Sequence, residues 1–461
     1  MTKTRWTVAL GVAMLAALVS SGKAAATFQL REKDHIAIIG NTLAERLQYD
    51  GWLETMLHAR FPKHDLVIRN LGFSGDEVAT RLRSKNFGTP DEWLAGVGQP
   101  IGGYNENRFE KTDTRADVIF AFFGYNESFA GKDGVEAFKA QLTEFITHTL
   151  AQRYNGKTAP RLVLFSPIAH EDLGDPNLPD GKANNVRLEM YTRAMEEVAN
   201  ANADVTFVDL FAPSLKLYAE HKEPLTIQGI HLNSEGNRRI SEVIDRALFG
   251  APGTYQEAYL KRLREAVADK NFYWFERYRT PNGYSTYGDR AFLTFVRDNP
   301  RNVNDDVAAK TPKENVLPTN YDVLQRELPV LDVLAANRDR RIWALARGGA
   351  APKIDDSNVP PFIDAKTNLP GKAPFLGGEE AMQRMTVGKG LHVELFASER
   401  DFPELVKPVQ IAFDTKGRLW VAAWKNYPQW QPTTPMDDKL IILEDTNGDG
   451  RADKRLSLIH I

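Results

Sequence analysis

From residue 34 to about 250, short apolar runs alternate with stretches of helical spacing. The strand-like runs are 36–39, 66–70, 117–123, 161–166 and 205–210; the helical stretches are 43–60, 132–152, 184–200 and 234–249. Strands that alternate with helices join as parallel neighbours, because each crossover needs a helix-length connection. The expectation is an α/β domain whose parallel sheet is covered by helices on both faces. Ligands of such sheets gather beyond the carboxyl ends of the strands. Functional residues are therefore to be sought there.

Each predicted strand end carries glycine or polar residues. The first ends in Gly40-Asn41-Thr42. The second runs into Asn70-Leu71-Gly72-Phe73-Ser74-Gly75-Asp76, the third into Gly124-Tyr125-Asn126-Glu127, and the fourth into Ser166-Pro167-Ile168-Ala169-His170. Gln228-Gly229-Ile230-His231-Leu232-Asn233 precedes the last helix. Thr42, at a strand-to-helix turn beside free helix N–H groups, suits a nucleophile. It equally suits a capping box with Glu45 three residues on. Each of the others also has a plain reading taken singly: Gly75 as a turn glycine, Asn126 as a turn residue, His231 as a buried, hydrogen-bonded histidine. His170 is a rival base at the neighbouring strand end.

The four blocks, in this order and spacing, resemble the SGNH (GDSL-type) hydrolases over about 34–250. That resemblance implies a flavodoxin-like three-layer α/β/α sheet and hydrolysis of an ester, with a carbohydrate acyl ester as one substrate class. It implies Thr42 as nucleophile and His231 as base. The Gly75 N–H and the Asn126 side chain would be the oxyanion donors. No cofactor is implied for this domain. Two positions depart from the family pattern. Gly40-Asn41-Thr42 stands for Gly-Asp-Ser, and Gln228 stands three residues before His231 where the family has Asp.

The departures have a chemical cost. A threonine hydroxyl can attack, but its methyl stiffens the side chain and crowds the tetrahedral intermediate. Gln228 can accept from a ring N–H and fix the tautomer of His231, yet it places no negative charge beside the imidazolium. In the serine-protease template, exchanging the orienting acid for an amide costs about 10⁴ in rate. Asp34, Asp76 and Glu127 are the nearby carboxylates that could substitute. Two other readings stand beside the esterase. One is a catalytically impaired domain that binds a glycan in the same cleft. The other is an accessory domain of a propeller-type sugar dehydrogenase or haem protein.

The chain has 461 residues, roughly two or three domains, and 42% hydrophobic against 26% charged residues, enough for ordinary cores. A formal net charge of −3 gives no reason to expect nucleic acid or an anionic membrane as partner. Residues 1–26 read as a signal peptide: Lys3 and Arg5, an apolar run from Trp6 to Val19, then Ala24-Ala25-Ala26 as cleavage site. The mature protein is expected to be secreted or periplasmic, with a small-molecule or carbohydrate ester as partner and no membrane association. Cysteine is absent, which excludes disulfides, thiolate metal sites and covalent haem of the C-x-x-C-H kind.

The alternation stops at 250. Residues 251–347 read as a helical extension, with a charged helix over 255–270, an aromatic run at 271–278 that docks on the main domain or stacks on sugars, and a helical stretch at 320–347 that Pro329 should kink or start. Residues 348–377 read as a linker. From 378 short strands appear, at 391–396, 409–413, 419–423 and 439–443. Gly417-Arg418-Leu419-Trp420-Val421 and Asp445-Thr446-Asn447-Gly448-Asp449-Gly450 resemble the first β-propeller blade of membrane-bound-dehydrogenase-type bacterial proteins, which are similar to quinone-dependent sugar dehydrogenases. A closed propeller needs about four blades, so the chain is expected to be truncated there. Leu456-Ser457-Leu458-Ile459-His460-Ile461 resembles translated adapter sequence more than a strand. Asp445, Asn447, Asp449 and Asp453 have the alternation of Ca²⁺ ligands, but Leu456 stands at the twelfth position where an EF-hand needs Glu; a solvated turn is the other reading.

Overall fold

The computed structural model describes residues 28–83, 87–97, 112–280, 290, 320–360, 375–427 and 437–460, and the side chains of 320–326 and 457–460 are outside that description. The expected signal peptide, 1–26, lies outside the described residues. Among the described residues no helix is long and apolar enough to cross a membrane.

Five strands form the first sheet: β1 (His35–Gly40), β2 (Val67–Asn70), β3 (Val118–Phe122), β4 (Arg161–Phe165) and β5 (Val205–Val208). All neighbours are parallel, in the order β2-β1-β3-β4-β5. This is the flavodoxin-type order, and it reverses direction between β1 and β3. The strand residues alternate between two cores. Ala37, Ile39, Ile119, Ala121, Phe123, Leu162 and Leu164 face one side, while Ile36, Ile38, Val118, Phe120, Phe122, Val163 and Phe165 face the other. Such near-continuous apolar runs are what a doubly covered parallel sheet requires.

On the first face lie α4 (Val135–Ala151) and α5 (Lys182–Asn200), through Phe138, Leu142 and Ile146 and through Tyr191, Ala194, Met195 and Val198. On the second lie α1 (Thr42–Asp50), α2 (Trp52–Arg60) and α7 (Ser234–Phe249), through Leu47, Leu53, Leu57, Ile240, Ile244 and Leu248. A parallel sheet with both faces covered by helices is thus present, as an SGNH-type α/β fold requires. The single helix expected over 43–60 is two. Gly51 adopts a left-handed conformation (φ 67°) and ends α1 before α2 begins. Helical spacing carries across that break, which is why the sequence does not reveal it. Two short helices, α3 (Pro90–Ala95) and α6 (Phe211–Glu220), were not anticipated.

The extension folds against the β2 edge of the sheet. Its helices are α8 (Glu257–Arg279) and α9 (Asn320–Ala346), and Pro329 lies within the second. The aromatic run at 271–278 splits by depth. Trp274 is wholly buried and its Nε1 donates to the Asn70 carbonyl at 2.7 Å; the Tyr278 hydroxyl donates to the Leu71 carbonyl at 2.9 Å. Lys270 reaches Glu54 at 2.8 Å, and Arg69 of β2 pairs with Asp339 of α9. These buried partners occupy the edge strand, so Trp274 and Tyr278 dock the extension on the sheet.

Beyond α10 (Gly378–Gln383), a second sheet runs antiparallel in the order β6 (Pro408–Phe413), β7 (Leu419–Ala423), β8 (Lys439–Glu444), β9 (Lys454–His460). Two expectations are corrected here. Residues 391–396 are not a strand. The fourth strand is β9, which runs through most of the segment set aside as adapter-like and pairs with β8 from Glu444↔Lys454 to Lys439↔His460.

The Asp445–Asp453 loop, read from the sequence as a calcium loop or a solvated turn, is held by its own hydrogen bonds. Asp445 accepts from the N–H groups of Gly448 (2.7 Å) and Gly450 (2.9 Å), Asp449 from Arg451 N (2.8 Å), and Asp453 from the Thr446 hydroxyl (2.8 Å). Asn447 accepts from Asp449 N at 2.9 Å. The loop's own donors use these oxygens, and among the described residues no group of three His, Cys, Asp or Glu is placed to hold a metal ion.

Candidate functional site

The reversal between β1 and β3 opens a crevice at the carboxyl edge of the sheet. Gly40 makes the first turn: its φ is 126°, and a Cβ there would lie 2.0 Å from the Phe122 carbonyl oxygen. Asn41 then caps α1, its side chain accepting from Leu43 N at 3.1 Å. The capping box expected of Thr42 and Glu45 is therefore absent. Thr42 is already the first residue of the helix, and Glu45 instead accepts from the Ser74 N–H and the Tyr49 hydroxyl. Relieved of capping, the half-buried Thr42 side chain lines a small cavity of about 40 Å³.

His231 lines the same cavity. It sits in the closing pair of a hairpin, beside the Thr226↔Leu232 bridge, its carbonyl accepting from the Ile227 N–H (2.8 Å). A buried carboxylate anchors this hairpin. Glu171 accepts from Leu225 N, Thr226 N (2.8 Å) and the Thr226 hydroxyl (2.6 Å), and that hydroxyl accepts from Gly229 N at 2.9 Å. Glu171 adjoins His170, yet nothing in the spacing of the sequence marked it as the support of the base loop. No hydrogen bond joins Thr42 to His231.

Gln228 stands behind the imidazole, its Nε2 donating to His231 Nδ1, while its Oε1 is buried without a partner. A half-turn of the amide exchanges these two atoms. Oε1 then accepts from Nδ1–H, the buried acceptor is satisfied, and Nε2 of the ring carries the lone pair a base needs. Among the described residues no carboxylate takes this place. Asp34 pairs with Arg161 at the opposite end of β1, Asp76 accepts from Leu82 N, and Glu127 accepts from Val78 N and Gly124 N, both at 2.9 Å. His170 is no rival for the base. It is buried behind the hairpin, its Nδ1 bonded to Asn184 and its Nε2 packed against Gly229.

The charge near His231 has the opposite sign to that of an orienting acid. Its pKa is lowered from the ordinary histidine value, first by burial and then by the Arg46 guanidinium. Arg46 is one helical turn beyond Thr42 and lines the cavity. Sequence reading missed it because an arginine on an amphipathic helix reads as a solvated one.

Gly75 and Asn126 lie close to each other on the loops that follow β2 and β3 at the same edge of the sheet, though neither lines the cavity shared by Thr42 and His231. A Cβ on Gly75 would lie 3.9 Å from Asn126 Nδ2, and Gly75 itself has a φ of 88°. Among the described residues the Gly75 N–H and the Asn126 amide donate to no other group. Glu127 ties the two loops together through Val78 N and Gly124 N, and burial pushes its pKa up. The two loops thus bring two uncommitted donors near each other.

Residues 38–239 match the GDSL-like Lipase/Acylhydrolase family, and residues 377–458 match a domain of unknown function (DUF7133). The chain thus carries a GDSL-like acylhydrolase domain. No curated protein matches it. Among solved structures it is similar to a gut microbial diltiazem-metabolizing enzyme (17% identity, TM-score 0.36), and the match spans 48% of this chain and about half, 48%, of that one. It is also similar to an acetylxylan esterase from Geobacillus stearothermophilus (14% identity, TM-score 0.34, 48% of this chain and 95% of that one). A third is an α/β hydrolase from the metagenome of Lake Arreo, Spain (19% identity, TM-score 0.34, 48% and 96%).

Proposed function

We propose that the GDSL-like domain hydrolyses an ester by acyl transfer. Thr42 attacks the carbonyl, His231 takes its proton and returns it to the leaving alcohol, and Gln228 holds the ring tautomer. The Gly75 N–H and Asn126 Nδ2 receive the oxyanion. The observation that carries this reading is that Thr42 and His231, far apart in the chain, line one cavity at the sheet's switch point. Acetyl is the first acyl group to test. A carbohydrate as the alcohol part is the finer form of the reading.

The test is turnover of 4-nitrophenyl acetate by the full chain. We expect hydrolysis that Thr42→Ala lowers by at least about 10³, with folding checked by circular dichroism. Activity unchanged in Thr42→Ala overturns Thr42 as nucleophile.

One observation favours a second reading, a cleft that binds a glycan without cleaving it: the neutral Gln228 and the cationic Arg46 both fail to stabilise an imidazolium at His231. Absence of turnover on any acyl ester, with retained binding of acetylated oligosaccharide, supports that reading over hydrolysis.

A further inference from the structure

Two hydrogen-bond donors on the cavity wall lack partners. Arg46 Nε is buried and bonded to nothing, and so is the hydroxyl of Tyr125. Arg46 faces the Tyr49 ring at 5.5 Å, and among the described residues it forms no ion pair, whereas Arg60, Arg161 and Arg239 each find a carboxylate. Tyr125 keeps its proton, since burial raises its pKa against the lowering effect of Arg187. Leaving a buried donor unsatisfied is costly, and more so for a charged one. The rest of the wall is largely apolar, with Leu43, Phe122 and Ile168 among its residues. A cationic donor and a neutral donor set in an apolar wall make a receptor for a compact, acceptor-rich group on an otherwise apolar ligand.

We propose that Arg46 is the anion-binding residue of this cleft, and that its ligand is an ester carrying a small negative group, such as a carboxylate, close to the acyl bond. Tyr125 supplies the second donor on the same wall. The ester part of this statement rests on the hydrolase reading; the anion part does not. The pairing also changes the base. A cation beside His231 opposes the imidazolium that acyl transfer must form. An anion seated on Arg46 cancels that opposition, so the ligand brings the negative charge that Gln228 cannot provide. Selection then falls on kcat as well as on binding.

The experiment compares benzoate with benzamide, which has the same shape without the charge, by calorimetry on the full chain, the Arg46→Gln variant and the Arg46→Lys variant. Benzoate is expected to bind the unaltered protein at least about tenfold more tightly than benzamide, as for a hydrogen bond to a charged group. Arg46→Gln should abolish the preference, Arg46→Lys should restore part of it, and added salt should weaken it. Equal binding of the two probes, no binding of either, or a preference that survives Arg46→Gln overturns the proposal. The two readings fail separately. Benzoate preference without turnover of any ester sinks the hydrolase and leaves the anion site. Turnover of neutral esters without benzoate preference sinks the anion site alone.

Discussion

The two sides of the crevice differ in kind. On the side of Gly75 and Asn126, two donors lie together and are committed to nothing else, held by a buried carboxylate, Glu127, that links their loops. On the side of His231, the hairpin is held as firmly, by Glu171 and Thr226, but the charge around the imidazole is reversed. Geometry and electrostatics are therefore separable here. Hydrogen bonds to backbone N–H groups fix where a loop sits, whatever side chains line the cavity. The chemistry of the base depends on one or two charges within a few ångströms of it.

The donor side offers the largest effect. If Asn126 Nδ2 receives the developing oxyanion, Asn126→Ala should lower kcat for 4-nitrophenyl acetate by about 10²–10³ and leave KM nearly unchanged. A fall confined to KM would make Asn126 a substrate-binding group, and the two sides would then no longer differ as argued.

The base side can be improved. Gln228→Asp introduces a carboxylate, one methylene closer to the backbone than the amide, three residues before His231, and it should raise kcat by about tenfold or more, a fraction of the roughly 10⁴ that separates acid from amide in the serine-protease template. The neighbouring Arg46 would be attracted to the new charge and share it, which is why the full factor is not expected. No gain in Gln228→Asp would mean that the reversed charge is not what limits the base.

What the sequence made legible follows the same division. The five parallel strands could be read because each is a short apolar run closed by glycine or polar residues, and sheet topology then brought Thr42, Gly75, Asn126 and His231 to one edge. The break at Gly51 was hidden because apolar spacing continues through it. The sequence points to a cap one residue too late, since Asn41 and Thr42 are both competent caps and only the extended backbone of Asn41 (ψ −162°) decides between them. Arg46 and Glu171 were invisible for another reason. Their roles arise from contacts between loops distant in sequence, and neither residue type in its local pattern differs from an ordinary surface charge. The strand over 454–460 rests on backbone pairing with β8, which composition does not reveal.

The smallest effect is the most specific to the comparison. His231 acts as base only when neutral, so activity should rise with pH through its pKa. Burial and Arg46 both lower that pKa below the ordinary value of 6.5, and the acid limb of kcat/KM should therefore have its midpoint below 6.5. Arg46→Gln removes the lesser of the two causes. The midpoint should move up, by less than about one unit, and should stay below 6.5 because burial is untouched. The direction is what matters. A carboxylate partner for His231 would have raised the midpoint above 6.5 in the unaltered protein, and its removal would have moved the limb down. A pH–rate profile of the two proteins on one neutral ester distinguishes a base opposed by its surroundings from a base supported by them.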